Sequence, residues 1–132
     1  MINKATEVWC WNADKPKPWQ MTTLTGATAL GANNQHTCAV LNGDVWCCWG
    51  DNFLGQLGIG TGDGRIHPVK DPVKAKATFK AVQVGTGRDS TCALDDHGKV
   101  WCWGVNHHGE LGQPHLPMSL DAWSKVVGLG PR

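Results

Sequence analysis

The chain has 132 residues, and its Lys plus Arg of 12 against Asp plus Glu of 11 leaves a net charge of +1, too little for the basic field that nucleic-acid binding needs. No apolar run reaches transmembrane length, and Met1-Ile2-Asn3-Lys4 does not open an apolar leader. Eight tryptophans, six cysteines and no tyrosine are an unusual set, and their spacing shows a repeat.

In chain order, the first word is Val8-Trp9-Cys10-Trp11, a short strand that runs into Lys15-Pro16-Lys17-Pro18. It is a frayed unit of about residues 1–25. A second unit, about 26–78, holds His36-Thr37-Cys38-Ala39-Val40, then Asn42-Gly43, then Val45-Trp46-Cys47-Cys48-Trp49. Asn-Gly between apolar segments is the strongest short signal for a two-residue type I′ hairpin. It sets Leu41 opposite Asp44, Val40 opposite Val45, Ala39 opposite Trp46 and Cys38 opposite Cys47. Cys48 is then one residue too many, a candidate β-bulge that returns Trp49 to the face of Trp46.

Beyond Gly50, the stretch Asp51 to Gly58 leads into Gly58-x-Gly60-x-Gly62-x-Gly64. This lacks the Lys-Ser/Thr and following helix of a phosphate-binding loop, so it reads as a connection. The lysines Lys70, Lys74, Lys76 and Lys80 read as a solvated approach to the next strand. A third unit, about 79–121, opens with Ala81 to Val84 and continues with Thr91 to Leu94, the turn Asp96-His97-Gly98 and Val100-Trp101-Cys102-Trp103. With Gly98 as the left-handed residue of a three-residue loop, Leu94 faces Val100, Ala93 faces Trp101 and Cys92 faces Cys102. Ser124 to Val127 reads as a strand of a terminal part-unit, 122–132. No segment carries a helical period with caps.

A shift of 54 superposes the middle units: Gly31, Thr37, Cys38, Ala39, Cys48, Trp49, Gly50, Asn52, Gly55, Leu57 and Gly58 fall on Gly85, Thr91, Cys92, Ala93, Cys102, Trp103, Gly104, Asn106, Gly109, Leu111 and Gly112. Short strands and turns at this spacing suit an all-β propeller blade, a sandwich or a β-solenoid. The pattern Gly85-x-x-x-x-Ser90-Thr91-Cys92-Ala93-Leu94 followed by Gly98-Lys99-Val100-Trp101-Cys102-Trp103-Gly104-x-Asn106-x-x-Gly109-Glu110-Leu111-Gly112 resembles the repeat of the regulator of chromosome condensation family. The resemblance covers Ala27 to Gly112. It implies a β-propeller of four-stranded blades, usually seven; about three incomplete blades would then belong to a larger or an oligomeric propeller. The matched residues, Trp46, Trp49, Trp101 and Trp103 among them, build the blade and carry no family activity residue by residue.

The cysteines admit metal, redox or disulfide readings. There is no C-x-x-C and no zinc spacing. Opposed residues in an antiparallel pair lie at disulfide range, which favours Cys92–Cys102 and Cys38–Cys47, with Cys38–Cys48 as the fallback; free buried cysteines are the alternative. Counting ten residues back from Cys10 puts its partner at position zero, one before Met1. Disulfides imply an oxidising compartment, hence an extracellular, periplasmic or cell-surface protein close to the secreted bacterial branch of the family, its export signal not visible in this chain.

The tryptophans either fill the space between neighbouring blades or stack on a carbohydrate or peptide. Trp19 and Trp123, off the motif, suit stacking best. Phe53, Leu54, His107 and His108 occupy the variable positions of Asn-x-x-Gly and read as exposed loop tips, more so than as metal ligands with His115. No Ser-His-Asp or paired-acid arrangement is visible, and no cofactor, metal or small-molecule ligand is called for. The expectation is a non-catalytic extracellular protein-binding or assembly module, whose partner is another protein or a second copy meeting its open blade edges. Val126 to Gly130 of one copy would be completed by Met1 to Trp11 of another, giving a ring or a filament. A GTPase exchange factor of nuclear type and a secreted enzyme inhibitor are the alternatives.

Overall fold

Two turns set the registers. At Asn42-Gly43 both residues take positive φ, 53° and 79°, the pair of left-handed conformations that a type I′ turn demands. The computed structural model describes residues 1–11, 15–33, 35–60, 66–67, 72–112 and 118–125, with backbone alone for 47–49, 66–67 and 118–125. Within it the strands are β1 (Val8–Cys10), β2 (Trp19–Met21), β3 (Ala29–Ala32), β4 (His36–Leu41), β5 (Asp44–Asp51), β6 (Ile66–His67), β7 (Val73–Lys74), β8 (Ala81–Thr86), β9 (Ser90–Asp95), β10 (Val100–Val105) and β11 (Met118–Lys125). The only other regular element among the described residues is one 3-10 turn, Thr22–Leu24.

These make three antiparallel sheets: β1 with β2; β3-β4-β5-β6 with β7 also on β5; and β11-β10-β9-β8. The β4–β5 pairing places Cys38 opposite Cys47 and Thr37 opposite Trp49. Cys48 is therefore the residue left over, and the bulge lies where the turn chemistry puts it. In the third sheet Gly98 has φ 78°, and Leu94, Ala93 and Cys92 face Val100, Trp101 and Cys102.

Some boundaries differ from those read off the sequence. The connection from Ile59 to Val73 contains β6 and the start of β7, two-residue strands too short to show alternation. The strand read as ending at Trp103 continues to Val105, and the strand at Ser124 starts at Met118 and runs to Lys125. Val126 to Gly130 lie outside the described residues.

The N-terminal segment holds a hairpin without a glycine turn. Asn3 Oδ1 accepts from the amides of Ala5 and Glu7 at 3.0 Å each, as Asp95 Oδ1 accepts from His97 and Lys99 at 2.9 and 2.8 Å. Thr6, with φ 59°, stands where Gly98 stands in the later turn. Trp9 N donates to Met1 O at 2.8 Å, so Met1 pairs with Trp9 as Ala93 pairs with Trp101.

Burial along two strands shows how the sheets stack. In β9 the pattern alternates, with Thr91, Ala93 and Asp95 buried and the intervening residues half-buried, as for a sheet covered on one face. In β4 five consecutive residues, His36 to Val40, are buried, so both faces are covered. Ala39 joins a cluster with Val8, Met21 and Leu24 of the first unit; Cys38 and Val40 join one with Val84, Ala93 and Trp103 of the last. The middle sheet is thus held between its neighbours, as a propeller blade is. Contact between β3 and β8 is close, since a Cβ on Gly31 would lie 3.1 Å from Gly85 Cα.

Candidate recognition surface and the joint between sheets

The same loop is built twice. Asn52 is fully buried, and its Oδ1 accepts from Leu57 N at 3.1 Å; Asn106 Oδ1 accepts from Leu111 N at 2.9 Å. Gly55, Gly58, Gly109 and Gly112 all have positive φ, between 62° and 80°. Gln56 Oε1 takes Leu54 N at 2.9 Å, and Glu110 Oε2 takes His108 N at 2.8 Å. Buried Leu57 and Leu111 pin each loop to its sheet. On this fixed frame the two variable positions differ: an exposed Phe53 and a half-buried Leu54 in one copy, exposed His107 and His108 in the other. His108 Nδ1 reaches Glu110 Oε1 at 3.2 Å, and hydrogen bonding within this turn lowers the Glu110 carboxyl below its usual range.

The inner side of the first loop makes the joint. Gln56 is fully buried, and its carbonyl accepts from Thr91 Oγ1 at 2.7 Å and from Trp103 Nε1 at 3.0 Å. Trp103, also fully buried, lies so close to Gly58 that a Cβ there would be 2.7 Å from the indole nitrogen. Trp103 therefore fills the space between sheets. Trp101 stacks on Phe79 with centroids 4.9 Å apart and donates to Asp95 Oδ2 at 2.8 Å. The side chain of Trp49 lies outside the described residues, and Trp46 is half-buried beside the first cluster.

His36 completes the joint, 2.7 Å from Thr91 Oγ1 through Nε2. The single hydroxyl proton of Thr91 goes to the Gln56 carbonyl, so His36 Nε2 must be the donor, leaving Nδ1 as a buried lone pair with no hydrogen-bond partner. Protonating Nδ1 would add a buried donor. Burial accordingly lowers the His36 pKa from 6.5 to about 4, against a small opposing effect of Asp51. The stabilisation is complete above the unfolded value of about 6.5 and is lost as pH falls towards 4, where the folded state also takes up the proton. Acid should thus remove about 3 kcal/mol. Unfolding free energies from urea denaturation at pH 7.5 and 4.5 should differ by about 2.5 kcal/mol more for the parent than for His36→Gln, most of the loss having occurred by pH 4.5.

Cys92 and Cys102 form a disulfide with Cα atoms 4.1 Å apart. Cys38 is also disulfide-bonded; the side chains of Cys47 and Cys48 lie outside the described residues, so the assignment of its partner to Cys47, or alternatively Cys48, stays an expectation from the turn. Cys10 is a free, buried thiol that burial raises to about 11. Replacing Cys92 and Cys102 together by alanine opens a loop of sequence separation 10, and the expected cost is roughly 2 to 3 kcal/mol. The check is a lower urea midpoint, with a slope that stays the same or steepens slightly as the unfolded chain loses its cross-link.

Other candidates are bound into structure. Asp95 is buried; its own burial raises its carboxyl, but hydrogen bonds from Trp101, Lys99 and His97 outweigh that and hold it low. Lys74 and Lys80, read as solvated, both pair with Asp44, at 2.9 and 3.0 Å. Lys15 Nζ lies 5.9 Å from the Trp19 ring centre, and Trp19 packs on the first cluster, so its ring is not a free platform. The side chain of Trp123, and His115, lie outside the described residues. Asn33, Gln35, Thr86, Gly87 and Arg88 line a polar hollow of about 590 Å³ between two adjacent turns. Among the described residues no three His, Cys, Asp or Glu converge on a metal position, and no helix is long and apolar enough to cross a membrane. Sequence reading missed Gln56 and Asp95, whose roles come from hydrogen bonds that composition does not advertise.

Comparison with known proteins agrees with the stacking. Models of the regulator of chromosome condensation (RCC1) repeat match residues 42–94 and 81–110. The chain is 36% identical over 84 residues to the ultraviolet-B receptor UVR8 of Arabidopsis thaliana, covering 63% of this chain and 19% of the receptor. It is 27% identical over 130 residues to the mitochondrial RCC1 domain-containing protein RUG3 of the same plant, covering 88% and 29%. The crystal structure of Prp20p from Saccharomyces cerevisiae superposes with a TM-score of 0.79 at 15% identity, over 95% of this chain and 35% of that one. The chain thus spans about a third or less of the length of each.

Proposed function

Given that this chain belongs to the regulator of chromosome condensation repeat family, we propose that it is a non-catalytic, extracellular protein-binding module. The observation that carries the reading is the duplicated loop: one buried frame of Asn, Gly and Leu presents Phe53 and Leu54 in one blade and His107 and His108 in the next. A rigid scaffold with differing exposed tips is how recognition loops are built. The Cys92–Cys102 disulfide supports an oxidising compartment. The chain's acids and histidines support a non-catalytic role, since Asp44, Asp95 and His36 are committed to ion pairs, turns and the joint. Its partners are proteins, including a second copy meeting an open blade face.

The test is capture of extracellular proteins of the source organism on the immobilised chain. Phe53→Ala and His107→Ala should leave the fold intact by circular dichroism while releasing the captured protein. Retention unaffected by both substitutions would sink the reading. One observation favours a second reading, exchange on a small GTPase: the superposed Prp20p is described by its binding to Gsp1p and histones. Acceleration of fluorescent GDP release from a small GTPase would choose that reading.

A further inference from the structure

The hairpin equivalences make Trp11 the counterpart of Trp103. Asn3 corresponds to Asp95, Met1 to Ala93 and Trp9 to Trp101, which lie eight, ten and two residues before Trp11 and before Trp103 alike. Yet Trp103 is 0% exposed and Trp11 is 52% exposed. The face that Trp103 buries under Gln56 and Gly58 is, at Trp11, an apolar cleft of about 500 Å³ lined by Met1, Asn3, Trp9, Trp11, Pro16 and Pro18. The opposite half of the joint also occurs in this chain. Gly109 and Glu110 are exposed, whereas their counterparts Gly55 and Gln56 are buried by Thr91 and Trp103.

We infer that the Trp11 cleft is the seat of the Asn106 to Gly112 loop of a second copy, with the Glu110 carbonyl accepting from the Trp11 indole and Gly112 lying flat on its ring. The joint between Gln56, Gly58 and Trp103 is the template for this contact, seen within the same molecule. Charge agrees with it, because the loop carries Glu110 where the internal one carries Gln56, while exposed Lys17 stands between the two prolines of the cleft. The contact is heterologous, so each copy offers one seat and one loop and association proceeds head to tail. This rests on the protein-binding reading above and names one partner for it.

The experiment is sedimentation velocity of the whole chain over a range of concentrations, with circular dichroism to check each variant. The parent should associate. Trp11→Ala, which keeps its loop, and Gly112→Asn, which keeps its seat and puts a Cβ where the internal joint leaves only 2.7 Å between Gly58 and the indole, should each associate at least about 30-fold more weakly, through loss of the central anchor or of the close approach to it. Mixing the two variants should restore a 1:1 dimer that grows no further, because only one seat and one loop remain intact. A parent that stays monomeric, a Trp11→Ala variant that associates like the parent, or a mixture that stays monomeric would each overturn the inference. Loss of self-association with capture through Phe53 and His107 intact would leave the broader reading standing.

Discussion

Replacing Trp103 with alanine is expected to lower stability by about 3 to 5 kcal/mol, the cost of emptying a core aromatic site. Trp103 touches both sheets at once, through the cluster of Cys38, Val40, Leu57 and Ala93 and through the Gln56 carbonyl. The substitution removes that packing and leaves a buried carbonyl with only Thr91 as donor. Phenylalanine at the same place would restore most of the volume without the N–H. Trp103→Phe should therefore recover the larger part of the loss, leaving about 1 kcal/mol for the hydrogen bond. Urea denaturation of the two variants separates packing from hydrogen bonding. Equal losses would mean that the joint is held by the hydrogen bond and not by the ring.

Gly104→Ala should cost as much by a different route. Gly104 has φ 100°, outside the left-handed well that other residues occasionally enter. A Cβ there would fall inside contact distance of the Asp89 carbonyl oxygen and 2.9 Å from Ser90 Cα. Backbone strain and the clash each account for about 1 to 3 kcal/mol, so a total of about 3 to 5 is expected. Gly50, with φ 113° and Gln35 and His36 against it, is the same device in the middle sheet. Gly98→Ala is the control: φ is 78° but nothing lies within 4 Å, and the expected cost is only about 1 to 2 kcal/mol. Thermal unfolding of the variants should rank them in that order. A Gly98 variant as damaged as Gly104→Ala would show that φ alone, and not the approach of the Asp89 turn, decides.

Turn chemistry made much of this fold legible in advance. Asn42-Gly43 and Gly98 carry enough information to set two hairpin registers, the Cys48 bulge and the Cys92 and Cys102 pairing, because positive φ restricts which residues can stand there. Where that restriction is relaxed, legibility fails. Thr6 adopts the same conformation as Gly98, and a threonine gives no turn signal, so the turn at Asn3 to Glu7 is not marked in the sequence, although counting back from Cys10 gives the register that Met1 and Trp9 take. The β6 and β7 strands are two residues each and carry no period. Burial of Gln56 comes from Thr91 and Trp103, separated from it by 35 and 47 residues, and no local pattern reports that. Phe53, His107 and His108 are legible as exposed positions for a different reason: they stand where two otherwise matching units disagree; Leu54, read the same way, is half-buried instead.

The joint has one side written in side chains and one side written in backbone. Thr91 and Trp103 must keep their hydroxyl and indole to donate, but the acceptor is a peptide carbonyl that any residue at position 56 would supply. Point mutation can therefore delete the donor half of the connection and cannot delete the acceptor half. A change of residue at position 56 leaves that carbonyl in the chain, so the acceptor half of the connection does not depend on the identity of any one side chain.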